Sequence, residues 1–320
     1  MRKTIPMVLA LLVSAGTAWA DHYQKYWPLD DGNSWTYSKS NPVARFAPYS
    51  VSVQGNYSGV AWVEGLPGLE DGVWLAWSGN TLYAWNKSAK AWREFLKFGA
   101  VTGTTYTVNL DHALWLNVQV KVKTKSERFY DAQLNKTFYN CVRFTFVNTM
   151  VADAGVTHFV VAPKVGIVHW SEQSLIGPTN AVLMSATLAG KKLGKVIFSA
   201  LDQGPKTQFP TNDAKLLVFN DPTAWTTFWM QHKPGTAAPS VDFGKQSAIV
   251  VIAGWRPNWG YSVSVQNILW NYPQKSVTVS VLETTPTGPT PNPMSKPYCI
   301  VTTNEKVFTA TMKWKVQSAP

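Results

Sequence analysis

The chain has 320 residues, of which 45% are apolar, and its formal net charge is +11. This length allows two domains, and the apolar fraction supports large cores. The basic residues are scattered rather than clustered, which argues against a nucleic-acid partner and favours solubility with weak attraction to anionic surfaces.

Residues 1–20 have the pattern of a cleaved secretory signal peptide. Arg2 and Lys3 precede the apolar run "IPMVLALLV", and the small-residue pattern "AWA" precedes Asp21. The apolar run is too short to span a bilayer, and no later stretch is long and apolar enough to do so. We therefore expect a periplasmic or secreted protein that is not transmembrane. Cleavage before Asp21 would leave 27 basic and 18 acidic residues.

The segment 21–189 is predicted to be a β-rich domain. Short β-branched or aromatic segments are separated there by Gly, Asn, Asp or Pro, and no convincing long amphipathic helix is present. Val118, Val120 and Val122 alternate with polar residues, as in a strand with one buried and one solvent-exposed face.

Eight tryptophans lie between Trp27 and Trp115. They have two interpretations: large fillers of a wide β-structure, or a concave aromatic surface that holds a sugar, a lipid or a peptide. The pairs Trp74/Trp77 and Trp85/Trp92 do not decide between them, because an odd spacing within a strand divides residues between its two faces.

The segment 190–320 is predicted to be a smaller α+β domain with one helix. Asn220 or Asp221 can cap this helix, Pro222 suits its first position, and Pro234 with Gly235 ends it. Its apolar stripe is predicted to pack on the core and consists of Trp225, Phe228, Trp229 and His232.

Two strands after the helix each have one apolar and one polar side. The apolar sides contain Tyr261, Val263 and Val265 on one strand, and Val277, Val279 and Val281 on the next. The other sides carry hydroxyl groups, including those of Ser262, Ser264 and Thr278. This pattern predicts a one-sided antiparallel sheet whose apolar side is covered by the helix, in two layers.

Motifs for catalysis or metal binding are absent from the sequence. It has no zinc-type histidine spacing, no nucleophile elbow and no phosphate-binding loop. His158 and His169 flank a predicted hairpin and can pair across it. Cys141 and Cys299 could form a disulfide in an oxidising compartment, but nothing in the sequence shows that they meet. We expect a non-catalytic protein without a cofactor, with a hydrolase as an alternative because triads are recognised by geometry.

Two short pieces resemble a class of secreted bacterial β-domains. They are "YWPLDDGNSWTY" at residues 26–37 and "KVGIVHW" at residues 164–170. The resemblance implies a curved antiparallel sheet or half-barrel in the N-terminal domain, similar to the half-barrels of lipoprotein-carrier folds.

Residues 215–303 resemble the C-terminal domain of PrcB, a protein associated with a bacterial surface protease complex. The matching pieces, in order, are "AWTTFW", "PSVDF", "AGWRPNWGYSVSV", "VTVSVLETTPTGP" and "KPYCIV". The resemblance implies a non-catalytic module that supports the assembly or stability of a protease partner. This chain departs from PrcB because it has no lipobox cysteine and a different N-terminal domain.

Together these patterns predict an exported, non-catalytic accessory protein that binds a protein or peptide partner, such as a protease or its substrate. The predicted binding residues are Trp255, Arg256, Trp259 and Tyr261, or the polar sheet face near them. Trp255 or Trp259 would anchor the partner, and Arg256 would pair with a partner carboxylate. The alternative is a lipid- or glycan-binding carrier that uses the tryptophan-rich N-terminal sheet.

Overall fold

The computed structural model describes residues 21–319, except for 42, 149–150, 152–153, 176 and 289–292. The predicted signal peptide, residues 1–20, lies outside the described residues. The predicted fold class is confirmed, since strands dominate and one long helix lies in the second half. The chain divides into a first unit that ends at Gly190 and a second that begins at Lys191.

The first unit is a curved antiparallel sheet preceded by a short helix, α1 (Asp21–Gln24). Its strands are β1 (Ser34–Ser40), β2 (Tyr49–Tyr57), β3 (Val60–Glu64), β4 (Val73–Ser78), β5 (Thr81–Asn86), β6 (Ala91–Lys97), β7 (Thr105–Val108), β8 (Val118–Asp131), β9 (Lys136–Asn148), β10 (Gly155–Ala162), β11 (Gly166–Gln173) and β12 (Thr179–Leu188).

Two meanders form this sheet. One contains β1 to β6, the other contains β7 to β12, and they join where β1 pairs with β12. At the far ends of the sheet, the Tyr106 hydroxyl on β7 donates to the Phe95 carbonyl on β6 at 3.0 Å. The alternation predicted at residues 118–122 is confirmed, because Val118, Val120 and Val122 are buried.

The inner face of the curved sheet is packed with aromatic side chains. Trp115 contacts Phe95 of β6 and Phe146 of β9, with ring centroids 5.1 and 5.2 Å away. Strands that lie far apart in the sheet thus meet across its interior. Trp27, Trp35 and Trp115 are each 1% exposed, so the interpretation of these tryptophans as core fillers is correct.

The second unit contains two sheets and helix α2 (Pro222–His232). Its strands are β13 (Lys191–Lys195), β14 (Phe198–Gly204), β15 (Lys215–Phe219), β16 (Ala248–Ile252), β17 (Ser262–Trp270), β18 (Val277–Thr285), β19 (Tyr298–Thr303) and β20 (Ala310–Ser318). One sheet is antiparallel with the order β14-β19-β16-β15, and in the other β13, β17, β18 and β20 follow one another. The β18–β20 pair is parallel.

Helix α2 begins and packs much as its sequence predicts. The Asp221 carboxylate accepts the Ala224 amide at 2.8 Å, which satisfies a backbone donor of the first turn. Pro222 occupies the start of the helix. The predicted stripe is buried and consists of Trp225, Phe228, Trp229 and His232.

The predicted partner of that stripe was wrong. The helix packs on Val250 and Ile300 of the β14–β15 sheet, not on the apolar sides of β17 and β18. Those sides pack on the opposite face of the same sheet, against Ile249 and Val251. Every residue of β16 is buried, so the strand needs cover on both faces, and the unit has three layers rather than two.

Cys141 and Cys299 are both buried and free. Of the two described α-helices, α2 is the longer with 11 residues, and no helix in the described part of the chain is long and apolar enough to span a bilayer.

Candidate functional site

The predicted binding residues lie on the loop between β16 and β17, residues 254–261, which we call the tryptophan loop. Gly254 has a φ of +79°, and a Cβ at this position would lie 2.4 Å from the Asn212 carbonyl oxygen. Only glycine fits such a close approach with this backbone angle. The Trp255 amide and indole donate to the backbone and side-chain oxygens of Asn212, each at 3.2 Å. These contacts fix the start of the loop.

Arg256 is bound inside the unit by Glu283 of β18. Its guanidinium makes two hydrogen bonds to the Glu283 carboxylate, and its third nitrogen donates to the Trp255 carbonyl at 3.0 Å. Glu283 is 3% exposed and also accepts from the Trp314 indole at 2.8 Å. Burial raises the pKa of Glu283, but the bonds from Arg256 and Trp314 outweigh it and hold this pKa below its usual value.

This geometry changes the role expected for Arg256. Its guanidinium already has a bidentate carboxylate partner, an arrangement that fixes orientation strongly. Arg256 therefore positions the loop, and a carboxylate of a binding partner would have to compete with Glu283. The backbone adds to this role, because Arg256 exchanges two hydrogen bonds with Ser295, at 2.8 and 3.0 Å.

The two loop tryptophans are the exposed part of the site. Trp255 is 39% exposed and Trp259 is 51% exposed. The Lys296 amino group lies 4.7 Å from the centre of the Trp255 ring and donates to the Phe209 carbonyl, which steadies that indole. A surface cavity of about 630 Å³ adjoins the loop and is lined by Trp255, Arg256, Pro257, Pro293 and Met294.

The other predicted residues contribute less to this cavity. Tyr261 is half-buried just before β17, and neither it nor Trp259 lines the cavity. Glu283 and Met294 were missed by the sequence analysis, because they are distant in the chain and only the fold brings them to the loop. Met294 is 55% exposed, so it extends the apolar surface beside Trp255.

The alternative polar face on β17 and β18 is internally hydrogen-bonded. Gln266 donates to the Ser264 hydroxyl at 2.7 Å, and the Thr278 hydroxyl donates to the Asn271 side chain at 2.8 Å. Ser262 is exposed. These short polar groups offer a partner less contact area than the two tryptophans do.

His158 and His169 do pair across the β10–β11 hairpin, as expected. Their Nε2 and Nδ1 atoms are 3.0 Å apart. Burial is the main cause that lowers the pKa of each to about 4, and the charge of Arg143 adds to it. Glu127 is occupied by Arg143 through two hydrogen bonds. No set of three side chains suited to a metal ion occurs in the described part of the chain.

One further arrangement resembles a catalytic triad but is enclosed. His232 lies 3.3 Å from the Asp202 carboxylate and 2.7 Å from the Thr207 hydroxyl. Both His232 and Thr207 are 1% exposed, and Thr207 also accepts the Phe209 amide. A substrate has no access to this hydroxyl, so the contacts serve to join α2 to β14.

Another cavity, of about 680 Å³, lies on the first unit. Its charged part is the ion pair of Lys39 and Glu172, 2.7 Å apart, and the Lys39 amino group lies 4.8 Å from the Tyr49 ring centre. Its lining residues are Lys39, Phe46, Val151, Ala154, Glu172, Ser174, Leu175 and Thr179. Its volume is in the range of pockets that bind small molecules.

No protein-family model matches the chain, and no curated protein matches it. The PrcB resemblance therefore stays a prediction. Among solved structures, a protein from Parabacteroides distasonis, provisionally described as a lipoprotein, has a TM-score of 0.28 and 10% identity over 49% of this chain and 96% of its own. An exported protein with a YmcC-like fold from Bacteroides fragilis, also provisionally described, has a TM-score of 0.30 with the same identity and coverage.

The MucA/MucB complex of Pseudomonas aeruginosa matches over 89% of this chain and 92% of that chain, with 8% identity and a TM-score of 0.25. These three similarities are too weak to support a function.

Proposed function

We propose that this is an exported, non-catalytic accessory protein that binds a protein or peptide partner through the tryptophan loop. The observation that carries the proposal is the exposure of Trp255 and Trp259, 39% and 51%, on a loop anchored by the buried carboxylate of Glu283. The partner would be a protein of the periplasm or the exterior, such as a protease or its substrate.

Exposed tryptophans on a rigid support are well suited to bind protein surfaces. Tryptophan is enriched among the residues that dominate interface energies, because it supplies a large apolar area and one hydrogen-bond donor. A loop already fixed in its bound conformation loses little entropy on association. The Arg256–Glu283 pair, the Ser295 backbone bonds and the Asn212 contacts provide that fixation.

The test begins with a photo-crosslinking residue at position 259 of the full chain, expressed in its host, to identify the partner. Affinity is then measured by calorimetry with both proteins purified. We expect Trp255→Ala/Trp259→Ala to weaken binding by about tenfold to a hundredfold. Phe308→Ala is the matched control, because Phe308 is also apolar and exposed, at 69%, in the same unit. Equal affinity of the wild type and the double variant would contradict the proposal.

A second candidate function rests on the first-unit cavity. Aromatic side chains fill the interior of the curved sheet, so a carried ligand would occupy this cavity rather than the sheet interior. Phe46 and Leu175 offer an apolar surface, and the ion pair of Lys39 with Glu172 offers polar groups. This combination suits a lipid-like amphipathic molecule.

Native mass spectrometry of freshly purified protein tests this candidate. We expect a co-purified mass in the wild type that is lost in Phe46→Ser and kept in Val43→Ser, a nearby exposed control. A clean ligand-free mass, with no shift when lipids are added, would rule the carrier function out.

A further inference from the structure

Four tryptophans form one continuous row across four neighbouring strands of the first unit. Trp62 on β3 is directly opposite Trp74 on β4, and Trp85 on β5 is directly opposite Trp92 on β6. The β4–β5 register, in which Leu75 is opposite Ala84, places Trp74 next to Trp85. At the usual spacing of strands the row extends over about 14 Å. We call these four residues the tryptophan row.

The row lies on the outer face of the curved sheet. Ala61, Leu75 and Ala84, which alternate with the row residues along their strands, are each 0% exposed on the inner face. The row packs with Val60 and Ala76 in a small cluster separate from the main core, and the Tyr57 ring contacts Trp74 with ring centroids 6.1 Å apart. Aromatic side chains on this face are therefore not needed to fill the interior of the sheet.

The indoles pack edge to face in pairs, with interplanar angles of 63° and 66°, and form a firm aromatic surface. Trp74 is 6% exposed and lies beneath its neighbours, whereas the other three indoles are partly exposed. Trp62 and Trp74 have ring centroids 5.1 Å apart, and Trp85 and Trp92 have centroids 5.5 Å apart. A Cβ at Gly72 would lie 2.4 Å from the Trp62 ring, so this indole lies directly against the backbone.

The end of the row carries positive charge. The turn between β5 and β6 exposes Lys87 and Lys90, and no carboxylate pairs with either amino group among the described residues. Glu94, on the same strand as Trp92, is paired with Lys97 at 2.6 Å. Asp111 contributes one carboxylate, which accepts the Ser88 amide of the turn. The turn thus keeps an excess of positive charge beside the last two tryptophans.

The row also contains an unpaired hydrogen-bond donor. The Trp92 indole N–H is buried and has no acceptor in the described part of the protein. An unpaired donor of this kind costs free energy unless a water or ligand oxygen accepts from it.

We propose that the tryptophan row binds a glycan that carries acidic groups. The electron-rich faces of the indoles suit the C–H faces of sugar rings, and an extended oligosaccharide can contact several positions of the row. Lys87 and Lys90 would attract its carboxylate or phosphate groups. A membrane surface fits less well, because interfacial binding inserts projecting apolar side chains, whereas these indoles are buried or partly buried and packed against one another.

The experiment uses the full chain and three probes: oligogalacturonate of defined length, a neutral cello-oligosaccharide, and phosphatidylglycerol vesicles. Binding is followed by calorimetry and tryptophan fluorescence. We expect the protein to bind oligogalacturonate and Trp85→Ala to weaken this binding by about tenfold or more, the scale of one lost aromatic stacking contact. Circular dichroism checks the fold of this variant, and Trp85→Phe should retain most of the affinity.

The exposed lysines give a test that does not depend on packing. Lys87→Ala/Lys90→Ala should weaken oligogalacturonate binding and make the remaining affinity independent of salt. The control is Lys121→Ala/Lys123→Ala, which replaces two exposed lysines of β8 and should change neither the affinity nor its salt dependence. Binding of the neutral sugar with equal affinity, binding to vesicles alone, no binding, or unchanged affinity in Trp85→Ala would each overturn the proposal. The row shares no residue with the tryptophan loop or the first-unit cavity, so its failure leaves both proposed functions standing.

Discussion

Single residues decide how firmly the tryptophan loop is held. Glu283 is almost fully buried, and Arg256 and Trp314 supply the donors that keep its carboxylate ionised. A buried charge without its partner is strongly destabilising, more so than the absence of the whole pair. The Arg256–Glu283 contact is therefore a structural requirement of the loop, and Arg256 is also part of the cavity wall.

We predict that Arg256→Ala lowers the free energy of unfolding by about 3 kcal/mol, because it leaves the Glu283 carboxylate buried and unpaired. Urea denaturation measures this change. Arg256→Ala/Glu283→Gln should recover part of the loss, since the second substitution removes the charge. Lys245→Ala, an exposed control in the same unit, should change stability by less than about 0.5 kcal/mol. Equal stability of wild type and Arg256→Ala would show that Glu283 is not held by this pair.

The His158–His169 pair predicts a pH dependence in mildly acidic solution. Both pKa values are near 4 in the folded protein, below the value of about 6.5 for a free histidine. The unfolded chain therefore binds protons first as the pH falls, and stability decreases between pH 6.5 and 4. Arg143 adds to this effect, while the carboxylate of Glu127 partly offsets it.

His158→Gln/His169→Gln should flatten this dependence when urea midpoints are compared at pH 7, 5.5 and 4.5. His112→Gln is the control, because it replaces a histidine outside the pair. Some slope should remain, since the pKa of His232 is also lowered by burial. An unchanged slope in the double variant would mean that the pair does not titrate in this range.

At the scale of elements, strand β16 explains the three layers of the second unit. Its five residues are all buried, with alternate side chains directed to α2 and to the β17–β18 layer. We predict that Trp229→Ala and Ile300→Ala are energetically coupled, whereas Trp229→Ala and Val279→Ala are additive within about 0.5 kcal/mol. Double-mutant cycles in urea measure both. Coupling of Trp229 to Val279 instead would support the two-layer arrangement.

The limits of α2 and its buried stripe were predictable, but the surface it covers was not. Periodicity shows which side chains face inward, and it carries no information about which layer receives them. The same limit applies to Trp85 and Trp92. Their odd spacing suggested opposite faces, yet the β5–β6 turn makes them direct cross-strand neighbours. For the loop, sequence identified Trp255 and Trp259, but Glu283 became apparent only from the fold.

At the scale of the molecule, the two proposed surfaces belong to separately packed units. The tryptophan row lies on the first unit and adjoins its own small cluster, whereas the tryptophan loop is anchored to the core of the second. The second unit also carries most of the excess positive charge, with 13 basic and 6 acidic residues from Lys191 onward. A protein partner and a glycan would therefore be bound by different chemistry at different places.

This separation predicts that the two binding activities can be removed one at a time. Trp255→Ala/Trp259→Ala should weaken binding of the crosslinked partner and leave oligogalacturonate affinity within about twofold, because substitutions in separately packed units with no shared contacts act independently. Trp85→Ala should do the reverse. Calorimetry on both variants with both ligands measures the four affinities. Loss of both activities in either variant, with the fold intact by circular dichroism, would show instead that the two binding activities are not independent.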